Sequence, residues 1–153
     1  MPASFDDDGG PPTDEEVAQE AIEPLLEHWP AQFGERWAGA WIEWNPRSVY
    51  VSIVDPTLSD IESLSAASED AGWHVAVVAA RYSSDEIEAF CSRAAEGLVR
   101  SSSTISFGPD VRHNAVRVEL DRVDDAVISQ LSRTVPTDAL VLAVTPRGRI
   151  IRL

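Results

Sequence analysis

Apolar residues recur along this chain with two different periods, and the switches between them mark its elements. An unbroken apolar run, Val75, Ala76, Val77, Val78, Ala79 and Ala80, predicts a strand. Directly after it, Ser83 and Glu86 stand at the two positions of a capping box, with Tyr82 and Ile87 at the staple positions around it. Ile87, Phe90, Cys91, Ala94 and Leu98 then fall at helical spacing and form one apolar stripe. Ser101, Ser102 and Ser103 break the pattern, and a short strand is expected over 104–107. Gly108, Pro109, Asp110 and Asn114 supply a turn, and Val116, Val118 and Leu120 alternate at period two in the next strand.

The flanks read in the same way. Thr13 with Glu16 makes another capping box, and Val17, Ala21, Ile22, Leu25 and Leu26 give an apolar face. Pro24 inside that pattern is expected to kink or restart the helix, because it lacks a donor and crowds the preceding turn. Strands are expected over 37–43 and 49–54, joined as a hairpin by Asn45, Pro46, Arg47 and Ser48. Thr57 and Asp60 open a helix that runs to about Ala71, where Gly72 stops it. Asp121 is expected to cap a further helix that Pro136 ends. A buried strand over 139–144 and a short strand over 149–153 complete the chain.

The order over 75–144 is thus β-α-β-β-α-β. With right-handed crossovers it predicts an α+β fold, a ferredoxin-like split β-α-β sandwich preceded by a β-hairpin and helices. No long sequence repeat or heptad array is visible. The expected organisation is a disordered acidic arm at 1–12, a helical segment at 13–31 and one α+β domain at 32–153.

Charge narrows the partners. The chain of 153 residues carries a net charge of −14, and its first 30 residues hold nine acids and no base. All 12 bases are Arg. Such a chain repels phosphate backbones and anionic membrane surfaces, so neither nucleic acid nor membrane is an expected partner. No apolar run approaches a membrane-spanning length, and the N-terminus shows no basic region followed by an apolar core, so a cytoplasmic location is expected.

The chemistry-bearing residues read mostly as structural. Cys91 is the one cysteine and lies on the apolar stripe between Phe90 and Ala94, where a small hydrophobe fits better than a nucleophile. Asp110, His113 and Asn114 are what a turn needs; the alternative reading is a small polar or metal site. His28, His74 and His113 lack ligand spacing, and no nucleophile elbow or phosphate-cradling glycine motif is present. No cofactor and no catalytic residue are expected. Trp37, Trp41 and Trp44 either pack the sheet against the first helix or stand exposed as a binding patch.

Three motifs in order resemble a known family: Trp37-Ala38-Gly39-Ala40-Trp41-Ile42, Tyr82-Ser83-Ser84-Asp85-Glu86-Ile87, and Asp110 to Val118 with Asn114, Val116 and Val118. Across roughly 33–145 the chain is similar to the pro-region modules of alpha-lytic-type and streptogrisin-type serine proteases and their protease-free actinobacterial relatives. The resemblance implies an α/β unit that assists folding of a protease and can inhibit it, pairing through backbone edges and a tail, with no catalytic residue. The expected function is therefore a non-catalytic protein-interaction module. Its candidate partner-binding residues are Trp37, Trp41 and Trp44 together with Arg149, Ile150, Ile151 and Arg152 on the terminal strand. Another protein is the expected partner, with a homodimer through a sheet edge as a further option. The alternative is a small-molecule-binding regulatory domain.

Overall fold

The computed structural model describes residues 10–98, 100–145 and 149–152, the last four by their backbone. Most of the arm expected at 1–12 and the turn at 146–148 lie outside the described residues. The elements run α1 (Asp14–Phe33), β1 (Trp37–Trp44), β2 (Arg47–Val54), α2 (Leu58–Asp70), β3 (His74–Ala80), α3 (Ser84–Leu98), β4 (Thr104–Asp110), β5 (Ala115–Leu120), α4 (Asp125–Thr134), β6 (Leu140–Val144) and β7 (Arg149–Arg152). The fold is α+β.

Local chemistry sets the helix starts. Thr13 and Glu16, Thr57 and Asp60, and Ser83 and Glu86 all exchange the two reciprocal bonds of a capping box. Helix α1 carries three acids in its first turn, where the helix dipole favours them. It runs through both Pro24 and Pro30, so the helix does not restart at Pro24. Each interior Pro costs on the order of 3 kcal/mol. Burial of Ala18, Ile22, Trp29 and Phe33 along one face opposes that cost. The cap of α4 is Asp124, not Asp121: Asp124 accepts from Val127 N at 3.3 Å. Asp121 instead pairs with Arg122 at 3.0 Å. Strand β4 also runs three residues further than expected, through Gly108 and Pro109 to Asp110, because an edge strand tolerates a residue without a donor.

The sheets depart from the split β-α-β order. One sheet is β1-β2-β3 and the other is β4-β5-β6-β7. Strand β3, expected beside β4–β6, pairs in parallel with β2 from Ser48↔His74 to Val54↔Ala80. The reason lies in chain connectivity. Strand β2 has β1 on one side only, and β3 reaches the other side directly after α2. Seven positions pair there without closing a long loop.

The same step then recurs. Strands β4 and β5 form an antiparallel hairpin, α4 crosses, and β6 adds in parallel to β5. The chain therefore repeats α-β-β-α-β twice, with β7 added at the end, a repeat of topology that the sequence does not display. Both hairpins carry a register irregularity near the start of their first strand, between Trp37 and Gly39 and between Thr104 and Ser106. Each unit has its own core. The first gathers Ile22, Trp29, Val49, Val51, Ile53, Leu64 and Trp73. The second gathers Phe90, Leu98, Val118, Leu120, Leu131 and Leu142. Helix α1 thus belongs to the packing of the first sheet.

Within the first unit, Arg36 clamps Asp60 with two bonds of 2.7 and 3.0 Å. Asp60 Oδ2 also accepts from Thr57 N at 2.8 Å. The Arg36 guanidinium, with the Thr57 amide behind it, holds the Asp60 carboxyl well below the usual carboxylate range. A depressed carboxyl stabilises the fold fully above the ordinary pKa, and that contribution is lost progressively as pH falls from there towards the lower folded value. The urea midpoint is expected to fall from about pH 4 to pH 2, and Asp60→Asn to flatten that fall. An equally steep fall in the variant would count against the clamp.

Candidate functional site

The three motifs of the sequence meet in space at the junction of the two units. Asn114 sits in the β4–β5 turn with φ of 50°, a left-handed conformation that Asn tolerates. Its Oδ1 accepts from the backbone N–H of Arg81 at 3.0 Å and of Tyr82 at 2.8 Å. Its Nδ2 donates to the Tyr82 carbonyl at 2.7 Å. One side chain thereby ties the second hairpin to the β3–α3 linker. Beside it, Val111 lies over Gly39 of β1, so closely that a Cβ at Gly39 would stand 2.5 Å from Val111 Cγ1. Ala38, Ser84, Ile87, Asp110, Val111 and Asn114 line the space between, which holds about 20 Å³, room for one water.

Charged groups ring this junction. Asp138, after α4, accepts from the Tyr82 hydroxyl at 2.7 Å and from Arg81 at 2.7 Å. The bond to the Asp138 carboxylate, aided by burial, raises the Tyr82 phenol above its ordinary value. Arg112 and Glu43 approach to 3.8 Å across the units. Asp110 closes on its own turn, taking His113 N at 3.1 Å and His113 Nδ1 at 2.7 Å. This aspartate–histidine pair has the form of a base and its orienting group. Among the described residues no serine or cysteine hydrogen-bonds to it, and no group of three His, Cys, Asp or Glu side chains is placed to hold a metal.

Cys91 packs at the margin of the second core. Burial, then the charge of Glu88, pushes its thiol pKa up. A thiol held protonated reacts slowly. Native Cys91 is expected to label slowly with a thiol reagent at neutral pH, and Cys91→Ala to cost about 1 kcal/mol in urea unfolding. Rapid native labelling would contradict this placement.

The tryptophans expected to act together are divided between two faces. Trp37 stacks on Phe33, with centroids 6.4 Å apart, and Trp44 lies 5.1 Å from the buried Trp73. Both pack against the first core. Trp41 lies on the opposite face of β1, stacked on Tyr50 at 5.1 Å and 2°. All three are half-buried. Arg149, Ile150, Ile151 and Arg152 form β7, paired among the described residues only with β6, from Val144↔Arg149 to Val141↔Arg152. Their side chains are outside the described residues. The tryptophans thus lie on the first sheet and β7 on the edge of the second. The bridging role of Asn114 has no sequence signal beyond its fitness for a turn, and the contact between Gly39 and Val111 has none.

Compared with known proteins, the chain matches no family model and no curated protein. No helix among the described residues is long and apolar enough to cross a membrane.

Proposed function

We propose that the chain is a non-catalytic protein-interaction module that receives an extended segment of another protein at an open edge of its second sheet. One observation carries this reading. The four-stranded sheet ends on β7, and among the described residues no strand pairs with the outer side of β7. Main-chain addition at such an edge gives affinity, and pockets for alternate side chains give specificity. The other edge, β4, adds support by exposing Ile105 (55%) and Phe107 (38%). The resemblance to protease pro-regions points to the same mode of pairing. The net charge of −14 favours a partner of basic character. Against the ligand-binding alternative, the groove between α3 and α4 is open and polar, lined by Arg100, Ser101, Asp124 and Gln130.

The test is a photo-cross-linking residue placed at Ile151, and separately at Phe107, in the native cell. A discrete protein adduct from position 151 is expected, and a chain ending at Thr145 that still folds should no longer retain that protein in a pull-down. An adduct from position 107 alone would move the interface to β4. No adduct from either, with a small molecule co-purifying, would replace this reading by the regulatory-domain alternative.

A further inference from the structure

Sheet edges are normally blunted against association by charge, proline, bulges or cover. Three of the four edges here carry such a device. Strand β7 holds Arg149 and Arg152. Strand β4 holds Pro109 and a register irregularity. Strand β1 has an irregularity of its own and is flanked by α1 and α3. Strand β3, against which α2 packs, carries no charge, proline or bulge. It pairs with β2 in unbroken register over seven positions, and no strand pairs with its other side among the described residues. Its sequence, His74-Val75-Ala76-Val77-Val78-Ala79-Ala80, contains no Asp, Glu, Lys, Arg, Pro or Gly. Val78 is 37% exposed and Ala79 is exposed beside it.

We infer that β3 is a self-association edge, where a second copy of this chain adds antiparallel to form one continuous six-stranded sheet. The proposal does not depend on any partner at β7 or β4. Two observations select a second copy as the occupant. The first is symmetry of the strand. A two-fold axis at Val77 places His74 opposite Ala80, Val75 opposite Ala79 and Ala76 opposite Val78, so every residue but His74 is small or β-branched and no like charges meet. The second is charge at its ends. Glu69 and Asp70 are exposed at the C-terminal end of α2, just before β3, and that helix has no base in its last turn. Acids there oppose the helix dipole. Arg81 follows β3 directly; it bonds Asp138 at 2.7 Å on one side, and its side chain is still 75% exposed. Antiparallel addition carries the Arg81 of each copy to the Glu69 and Asp70 end of the other, so two complementary contacts form about the axis. A chain of net charge −14 associates with itself only where its acids are locally answered, and this edge answers them.

The test is sedimentation equilibrium of the full chain, with amide exchange followed over 74–80. A concentration-dependent dimer is expected, with those amides slowing as it forms. Val78→Lys puts like charges on diagonal neighbours across the axis and should weaken the dimer by about tenfold or more. Because Val78 is partly exposed, the fold should tolerate it. Arg81→Glu should also weaken the dimer, and adding Asp70→Arg should restore it, so a misfolded Val78→Lys would still leave the charge swap to decide. A monomer at all concentrations overturns the inference. So does a dimer indifferent to all these changes, or protection of 74–80 that appears only when another protein is added.

Discussion

Asn114→Ala is expected to lower stability by about 4 kcal/mol, a large fraction of what a domain of this size holds. The substitution removes three hydrogen bonds at once and leaves the Arg81 and Tyr82 amides and the Tyr82 carbonyl without their partner. At about 1 kcal/mol each these account for most of the loss. The remainder comes from φ of 50°, which costs Ala on the order of 1 kcal/mol. Two controls separate the parts. Asn114→Gly relieves the backbone term alone and should recover about 1 kcal/mol relative to Ala. Asn114→Asp keeps an acceptor for both amides but cannot donate to the Tyr82 carbonyl, and should fall in between. The measurement is the urea midpoint, with proteolysis at Arg81 as a report on the linker. A loss below about 1 kcal/mol for Asn114→Ala would show that water replaces these bonds freely.

Gly39→Ala should cost a similar amount for a different reason. The φ of 121° lies where essentially only Gly is found, a strain of about 1–3 kcal/mol for any other residue. The added Cβ would also stand 2.5 and 3.2 Å from the two γ-carbons of Val111, and overpacking adds about 1–3 kcal/mol more. Val111→Ala removes those γ-carbons and nothing of the backbone strain. In a double-mutant cycle it should therefore recover part of the Gly39→Ala loss, while costing little by itself. Additive losses would mean that β1 and the β4–β5 turn do not meet as described.

Both predictions fall on the junction, and that is where reading the sequence stopped short. The three motifs look, one at a time, like a strand, a cap and a turn. The cap does form at Ser83 and Glu86, and the turn does form at Asp110 to Asn114. Their meeting depends on Asn114 reaching Arg81 and Tyr82, residues more than 30 positions earlier in the chain. Nothing in local propensity encodes such a distance. The tryptophans show the same limit. Their large apolar area announces packing, but which face each one takes depends on the register irregularity between Trp37 and Gly39. A one-residue slip turns every later side chain of a strand to the other face.

By itself the sequence determined what is written within about four residues or in one repeating period. Helix starts follow from Thr13, Thr57 and Ser83, because a cap is satisfied by its own third neighbour. Strands β2, β3, β5 and β6 follow from runs of branched and small apolar residues, because a pleated, half-buried surface selects them. The tertiary structure alone decided which strands share a sheet. An apolar strand such as β3 fits either of two sheets equally well by pattern. The choice fell to β2 because α2 delivers β3 to its open side with the least loop to close. That single choice split one expected sheet into two, created the repeated units and the junction that Asn114 ties, and left β3 as an uncharged edge.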